Sequence, residues 1–210
     1  MRPDRPLPPL IQADARLLVV DKPSGLLCQP GLGPELTDSL LTRIRRHWPW
    51  AELAHRLDRD TSGLLLVALD ADMHRALSRL FAERRIEKTY VADVAGRPAH
   101  SAGSIDLPLA KLGDRPPRYA VDPAGKASRT DWRLLEMHDG WSRLVLHPRS
   151  GRSHQLRVHL AASGHPILGD PLYGAAGHHP TGRLRLHASE LRFVHPFSGE
   201  ELTFQAPCPF

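Results

Sequence analysis

Between Leu64 and Leu69 every position is apolar, a run too continuous for a half-exposed strand and too short for a helix. It predicts a strand buried on both faces. Arg16-Leu17-Leu18-Val19-Val20 reads as a second buried strand, ended by the turn Asp21-Lys22-Pro23-Ser24-Gly25. Helical spacing takes over where Leu36, Leu40, Leu41 and Ile44 recur, predicting a helix over 36–48 that Pro49 stops. Asp70 is a good N-cap for a second helix over 71–84. Its Met73, Ala76, Leu77, Leu80 and Phe81 form one core-facing stripe.

Alternation from 88 to 95 puts Tyr90, Ala92 and Val94 on one face of a strand. Residues 96–125, rich in proline and glycine, predict long irregular hairpin connections. Strands at 132–135 and 141–146 flank the turn at Asp139-Gly140. A third helix starts near Ser153 and stops at Gly164, a natural C′ residue. Residues 174–182 read as a mobile loop, followed by strands near 184–187, 191–194 and 202–204. Strands mixed with a few helices and joined by hairpins predict an α+β fold. Residues 1–10 form a Pro-rich extended arm, and 11–210 a single domain of ordinary size.

Composition changes this picture little. Hydrophobic residues make up 41% of the chain and charged residues 24%, as in an ordinary globular protein. No leader with an apolar core follows Met1, and no run approaches membrane-spanning length. Cys28 and Cys208 are too few for a disulfide framework, so a reducing cytoplasm is the expected setting. The net charge of +5 permits a polyanionic partner without requiring one. Arg43, Arg45, Arg46 and His47 on the first helix are either a solvated face or phosphate contacts.

The candidate chemistry lies just before the buried strand, in His55-Arg56-Leu57-Asp58-Arg59-Asp60-Thr61-Ser62-Gly63. Charge this dense at the mouth of a sheet marks a functional loop. Asp58 and Asp60 both qualify as the carboxylate that attacks an electrophilic carbon or stabilises positive charge. Arg157 precedes Leu160 and Ala161 by three and four residues, so it shares their inward face and needs a partner there. Thirteen histidines invite a metal reading, but His154 and His159 are five apart and His178-His179 falls in a loop. Neither matches a metal-ligand spacing. Gly31-Leu32-Gly33 lacks the lysine of a phosphate loop, and Ser62-Gly63 precedes a strand, unlike a hydrolase nucleophile elbow.

His55-Arg56-Leu57-Asp58 followed by Thr61-Ser62-Gly63-Leu64 resembles the catalytic signature of the RluA family of RNA pseudouridine synthases. The resemblance spans most of the chain. Asp21-Lys22-Pro23-Ser24-Gly25-Leu26, Lys88-Thr89-Tyr90, Gly151 to His159 and His165-Pro166-Ile167-Leu168-Gly169-Asp170 resemble the family's other motifs, in the same order. It implies a mixed, largely antiparallel sheet flanked by a few helices, with a central active-site cleft. It implies Asp58 as nucleophile, Tyr90 stacked near the target base, and Arg157 as the cation that keeps Asp58 charged. His55, Arg56, Leu57, Thr61, Arg152, His154 and Gln155 are the implied substrate-binding residues, with Arg56 filling the gap left by a flipped base or binding phosphate.

Such an enzyme breaks the C1′–N1 bond of a uridine, turns the uracil and rejoins C1′ to C5. The reaction involves no redox change or net hydrolysis, so the resemblance implies neither cofactor nor metal. Without a separate RNA-binding domain, the chain matches the family's short form, a cytoplasmic monomer. Its expected substrates are stem-loops of structured RNA, in 23S rRNA, in tRNA anticodon loops, or in both. The alternatives are a single-target family member and an RNA-binding or RNA-folding protein whose catalysis is incidental.

Overall fold

The computed structural model describes residues 5–114, 117–174 and 182–210. The predicted loop at 174–182, with His178 and His179, lies almost wholly outside these residues, as does the start of the N-terminal arm. The chain divides into two compact units, Met1–Glu87 with Ala188–Cys208, and Lys88–His187 with Pro209–Phe210.

In the first unit, β1 (Leu10–Ala13) pairs antiparallel with β2 (Leu17–Lys22), the predicted strand extended by two residues at its end. A 3-10 turn at Pro34–Leu36 precedes α1, which spans only Leu40–Ile44, not the predicted 36–48. The reason is local. Ser39 is extended at φ −151° and exchanges hydrogen bonds with Thr42 in a capping box, so the helix must begin after it. Leu40 gives its N–H to Leu27 O at 2.7 Å, which ties this start to the preceding loop. The arginine face is also occupied: Arg43 is paired with Asp38 and Arg45 with Glu52.

Strand β3 (Glu52–Leu53) and strand β2 both pair antiparallel with β4 (Ser62–Ala68), all seven of whose residues are buried. That is the two-faced burial the apolar run predicts. Helix α2 (Ala71–Ala82) starts on Asp70, whose side chain accepts the Met73 N–H at 2.9 Å. Its Met73, Leu77 and Leu80 pack into a core with Leu64 and Leu66 of β4.

The second unit holds β5 (Glu87–Ala95, from Lys88 on), β6 (Ala102–Asp106), β7 (Leu109–Asp114), β8 (Pro117–Val121), β9 (Arg129–Met137) and β10 (Trp141–Pro148). Strands run in the order β5, β10, β9, β6, with antiparallel pairing throughout. The predicted irregular segment therefore contains three strands, and β7 and β8 form a separate hairpin. Gly140 in the β9–β10 turn has φ +75°, a conformation that glycine adopts without strain. Helix α3 (Gln155–Ala162) ends as predicted with Gly164 at φ +84°.

Strand β11 (Leu186–Val194) is one continuous strand where two were expected, because Ser189-Glu190 continues the ladder instead of breaking it. Its residues from Ala188 on belong to the first unit, next to β4, and pair antiparallel with β12 (Glu201–Gln205). The fold is thus α+β, with a mixed, mostly antiparallel sheet and a few helices. Among the described residues no helix is long and apolar enough to cross a membrane.

Candidate active site

The structure gathers the predicted residues into two groups. His55, Arg56, Leu57, Asp58 and Thr61 lie in the first unit, on the loop from β3 to β4, and Tyr90, Arg152, His154, Gln155 and Arg157 lie in the second.

The loop that presents Asp58 is held by the segment after β2. Lys22 is fully buried, and its Nζ donates to Pro23 O at 2.9 Å, Leu26 O at 2.9 Å and Arg59 O at 3.0 Å. Three carbonyl acceptors offset much of the cost of removing an ammonium from water. The Gly25 N–H also donates to Arg59 O at 2.9 Å, and Ser24 Oγ donates to Asp60 O at 2.7 Å. Cys28 completes the clamp, its thiol donating to Leu57 O at 3.2 Å and its sulfur accepting the Leu57 N–H at 3.3 Å. Burial pushes the Cys28 thiol up, so it remains a protonated donor at neutral pH.

Asp58 itself is half-buried, and its carbonyl accepts the Thr61 N–H at 3.2 Å. Leu57 and Thr61 are buried, while Arg56 is exposed. His55 Nε2 accepts the Leu66 N–H at 3.0 Å, and its ring lies 4.3 Å from that of Phe81. That contact anchors the loop to β4.

In the second unit Tyr90 is half-buried, opposite Leu146 in the β5–β10 pair, and packs on the core around Ala92 and Val94. Arg157 is 3% exposed, and Asp170 takes two of its donors, Nε at 2.8 Å and Nη2 at 2.7 Å. Although burial alone would raise Asp170, the Arg157 hydrogen bonds and charge and the N–H groups of Leu172 and Tyr173 hold it below the usual carboxylate range. The inward face that asked for a partner thus has one thirteen residues on, within a motif already noted in the sequence. Residue types required a partner and the resemblance implied Asp58 in that place, whereas the Asp170 pairing was not read from either.

Gln155 is buried with its amide fully used. Oε1 accepts from Ser150 Oγ and the Arg152 N–H, while Nε2 donates to Arg129 O and Thr130 Oγ1. It braces the start of α3 against β9. Arg152 is exposed, its Nε 3.3 Å from Ala127 O. His154 occupies the left-handed region at φ +56°, and its Nδ1 lies 2.8 Å from Tyr173 Oη. His159 is enclosed by Ser128 Oγ, Leu107 O and Thr130 Oγ1, and burial lowers its pKa. A neutral core histidine satisfied on both nitrogens is what this position holds.

A half-buried carboxylate on a pinned loop can attack carbon or stabilise a cation, and an aromatic ring on a strand can stack on a base. Comparison with known proteins identifies the chemistry. The family model for RNA pseudouridylate synthase matches residues 16–162. The chain is 44% identical to the "Dual-specificity RNA pseudouridine synthase RluA" of Escherichia coli (strain K12), over 99% of its own length and 96% of the relative's. It is 41% identical to the protein of the same name from Haemophilus influenzae, over 99% and 96% of the two chains. The solved structure of human RNA Pseudouridylate Synthase Domain Containing 1 superposes with a TM-score of 0.82 at 32% identity, covering 100% of this chain and 87% of the other. This chain therefore belongs to the RNA pseudouridine synthase family, the isomerases that convert uridine in RNA to pseudouridine.

Proposed function

We propose that this chain modifies uridines in the loops of two structured RNAs, one ribosomal and one transfer RNA, with Asp58 as the nucleophile. The supporting observation is the clamp on the Asp58 loop, where Lys22, Ser24, Gly25 and Cys28 all bond to backbone between Leu57 and Asp60. A reacting carboxylate must be held within a fraction of an ångström, because small misplacements cost rate steeply. Dual targeting is taken from the relatives' name.

In this reading Asp58 acts at C1′ as the C1′–N1 bond breaks. The uracil turns, C1′ joins C5, and the proton lost from C5 is balanced by one gained at N1. Tyr90 supplies a stacking face. Its hydroxyl is a weak base at neutral pH, where only about one phenol in a thousand is ionised. Arg157 supplies the cation that keeps the nucleophile charged in a dry site, and exposed Arg56 and Arg152 contact RNA. The catalytic domain is taken as 11–210, working as a cytoplasmic monomer.

The experiment gives purified protein a free large-subunit rRNA hairpin and an anticodon stem-loop, then maps pseudouridine in each. Both should be modified, and Asp58→Asn should abolish turnover on both while its thermal midpoint stays near wild type. Modification of only one loop would support a single target. Full activity of Asp58→Asn would move the chemistry elsewhere, with Asp60 first in line.

A further inference from the structure

Tyr173 stands at a junction within the second unit. Its ring centre lies 5.1 Å from the guanidinium carbon of Arg157, inside cation–π range. Its backbone N–H donates at 3.1 Å to Asp170 Oδ1, the oxygen that also holds Arg157 Nη2. Its hydroxyl accepts the Tyr119 N–H of β8 at 2.9 Å and lies 2.8 Å from His154 Nδ1. The ring of His154 meets those of Tyr119 and Tyr173 edge-on, at 5.1 and 5.6 Å. One side chain therefore touches the buried arginine, the residue before α3 and the β7–β8 hairpin.

The geometry divides the work of holding Arg157. Asp170 grips one edge of the guanidinium with two hydrogen bonds, which set its in-plane direction. The Tyr173 ring, with the guanidinium carbon over it at 5.1 Å, adds a second contact that resists displacement. The ring is itself held at its far end, where the hydroxyl accepts the Tyr119 N–H and is hydrogen-bonded with His154 Nδ1.

We propose that Tyr173 is a positioning residue for uridine isomerisation, acting through Arg157 and braced by Tyr119 and His154. The inference rests on the reading that gives Arg157 a part in the reaction. Tyr173→Phe keeps the face and frees the far end, whereas Tyr173→Leu removes the face as well.

The test measures kcat and KM on a stem-loop substrate for both variants, for Arg157→Lys, and for the double variant Tyr173→Phe with Arg157→Lys, alongside thermal midpoints. Displacing a reacting group by about an ångström costs up to about a hundredfold. Tyr173→Leu should lose about that much in kcat, Tyr173→Phe about tenfold less than that, and both should keep KM within about twofold. On the Arg157→Lys background Tyr173→Phe should cost nothing further, because the group it positions is gone.

Wild-type kcat in Tyr173→Phe and Tyr173→Leu, with Arg157→Lys impaired, overturns the Tyr173 role and leaves the Arg157 reading standing. Unimpaired Arg157→Lys overturns the Arg157 reading itself. Should Tyr173→Leu fail to fold, Tyr173→Phe decides alone, and an equal loss on both backgrounds would count against the proposal.

Discussion

Lys22 is a buried ammonium that donates to three backbone carbonyls, so its value lies in what it holds together. Lys22→Met keeps most of the volume and removes the donors. Arg59 O would retain the Gly25 N–H, but Pro23 O and Leu26 O would lose the Nζ donor. Leu26 O, left as an orphaned buried acceptor, costs about 1–3 kcal/mol and Pro23 O, at an exposed residue, less, partly offset because no charge remains to be desolvated, so a net loss of roughly 1–3 kcal/mol is expected. Turnover should fall further than stability explains, since the Asp58 loop loses a tether. Chemical denaturation and single-turnover rates check this, and wild-type values in both would show the clamp to be dispensable. The loop around Asp58 was legible as a candidate site because charge crowded against an apolar strand has few other uses. Roles inside the motifs were less so. Gln155 and His55 are polar neighbours of candidate catalytic positions and read as substrate contacts, yet Gln155 spends its whole amide, and His55 its Nε2, within the fold. Sequence shows that a polar group is present, not which partner satisfies it.

Among the elements, β4 carries the strongest signal and is buried along its whole length. Gly63 at its start has φ +113°, and a Cβ there would lie 2.3 Å from Ala188 O and 2.6 Å from Ala188 N of β11. Neither atom can swing aside, because both are backbone. Gly63→Ala therefore combines left-handed strain with a steric overlap that forces two strands apart. A loss of roughly 4 kcal/mol or more is expected, in the range reserved for such severe sites. At this chain length that lowers the thermal midpoint by about 8–16 °C, and a midpoint within two or three degrees of wild type, about the effect of 1 kcal/mol, would contradict the packing argument. The glycine in Thr61-Ser62-Gly63-Leu64 was visible from the start, but the approach of β11 was not, since it joins residues far apart in sequence. The same limit explains the misread ends. Periodicity found the α1 stripe, whereas the capping box at Ser39 and the Leu40 bond to Leu27 decided where the helix begins. Ser189-Glu190 looked like a break because polarity was read without the partner strand, and Glu190 in fact pairs with Gln205 of β12.

At the scale of the whole molecule, the number of arginines overstates the cation available to RNA, and the formal charge of +5 is the better guide. Arg16 is paired with Asp70, Arg43 with Asp38, Arg129 and Arg149 with Asp131, Arg143 and Arg185 with Asp93, and Arg192 with Glu201. A guanidinium already engaged by a carboxylate neutralises phosphate only partly, so RNA binding should depend on the net excess and not on the arginine count. Neutralising Z phosphates of a single-stranded loop gives a slope of about −0.7Z in log K against log salt, so about five phosphates give roughly −3.5. Such a slope is steep enough to measure and well short of what free arginines in this number would produce. The measurement is equilibrium binding of the anticodon stem-loop to Asp58→Asn protein between low and physiological salt. Using the inactive variant keeps the substrate unmodified throughout. A slope near −3.5 would support recognition of a compact loop by a few phosphates, with base stacking on Tyr90 adding a salt-independent share. A slope shallower than about −1 would mean that fewer than two phosphates are engaged, and affinity would then have to come from bases alone. A slope steeper than about −7 would require about ten phosphates, a contact too large for an isolated loop, and would point instead to an extended RNA surface.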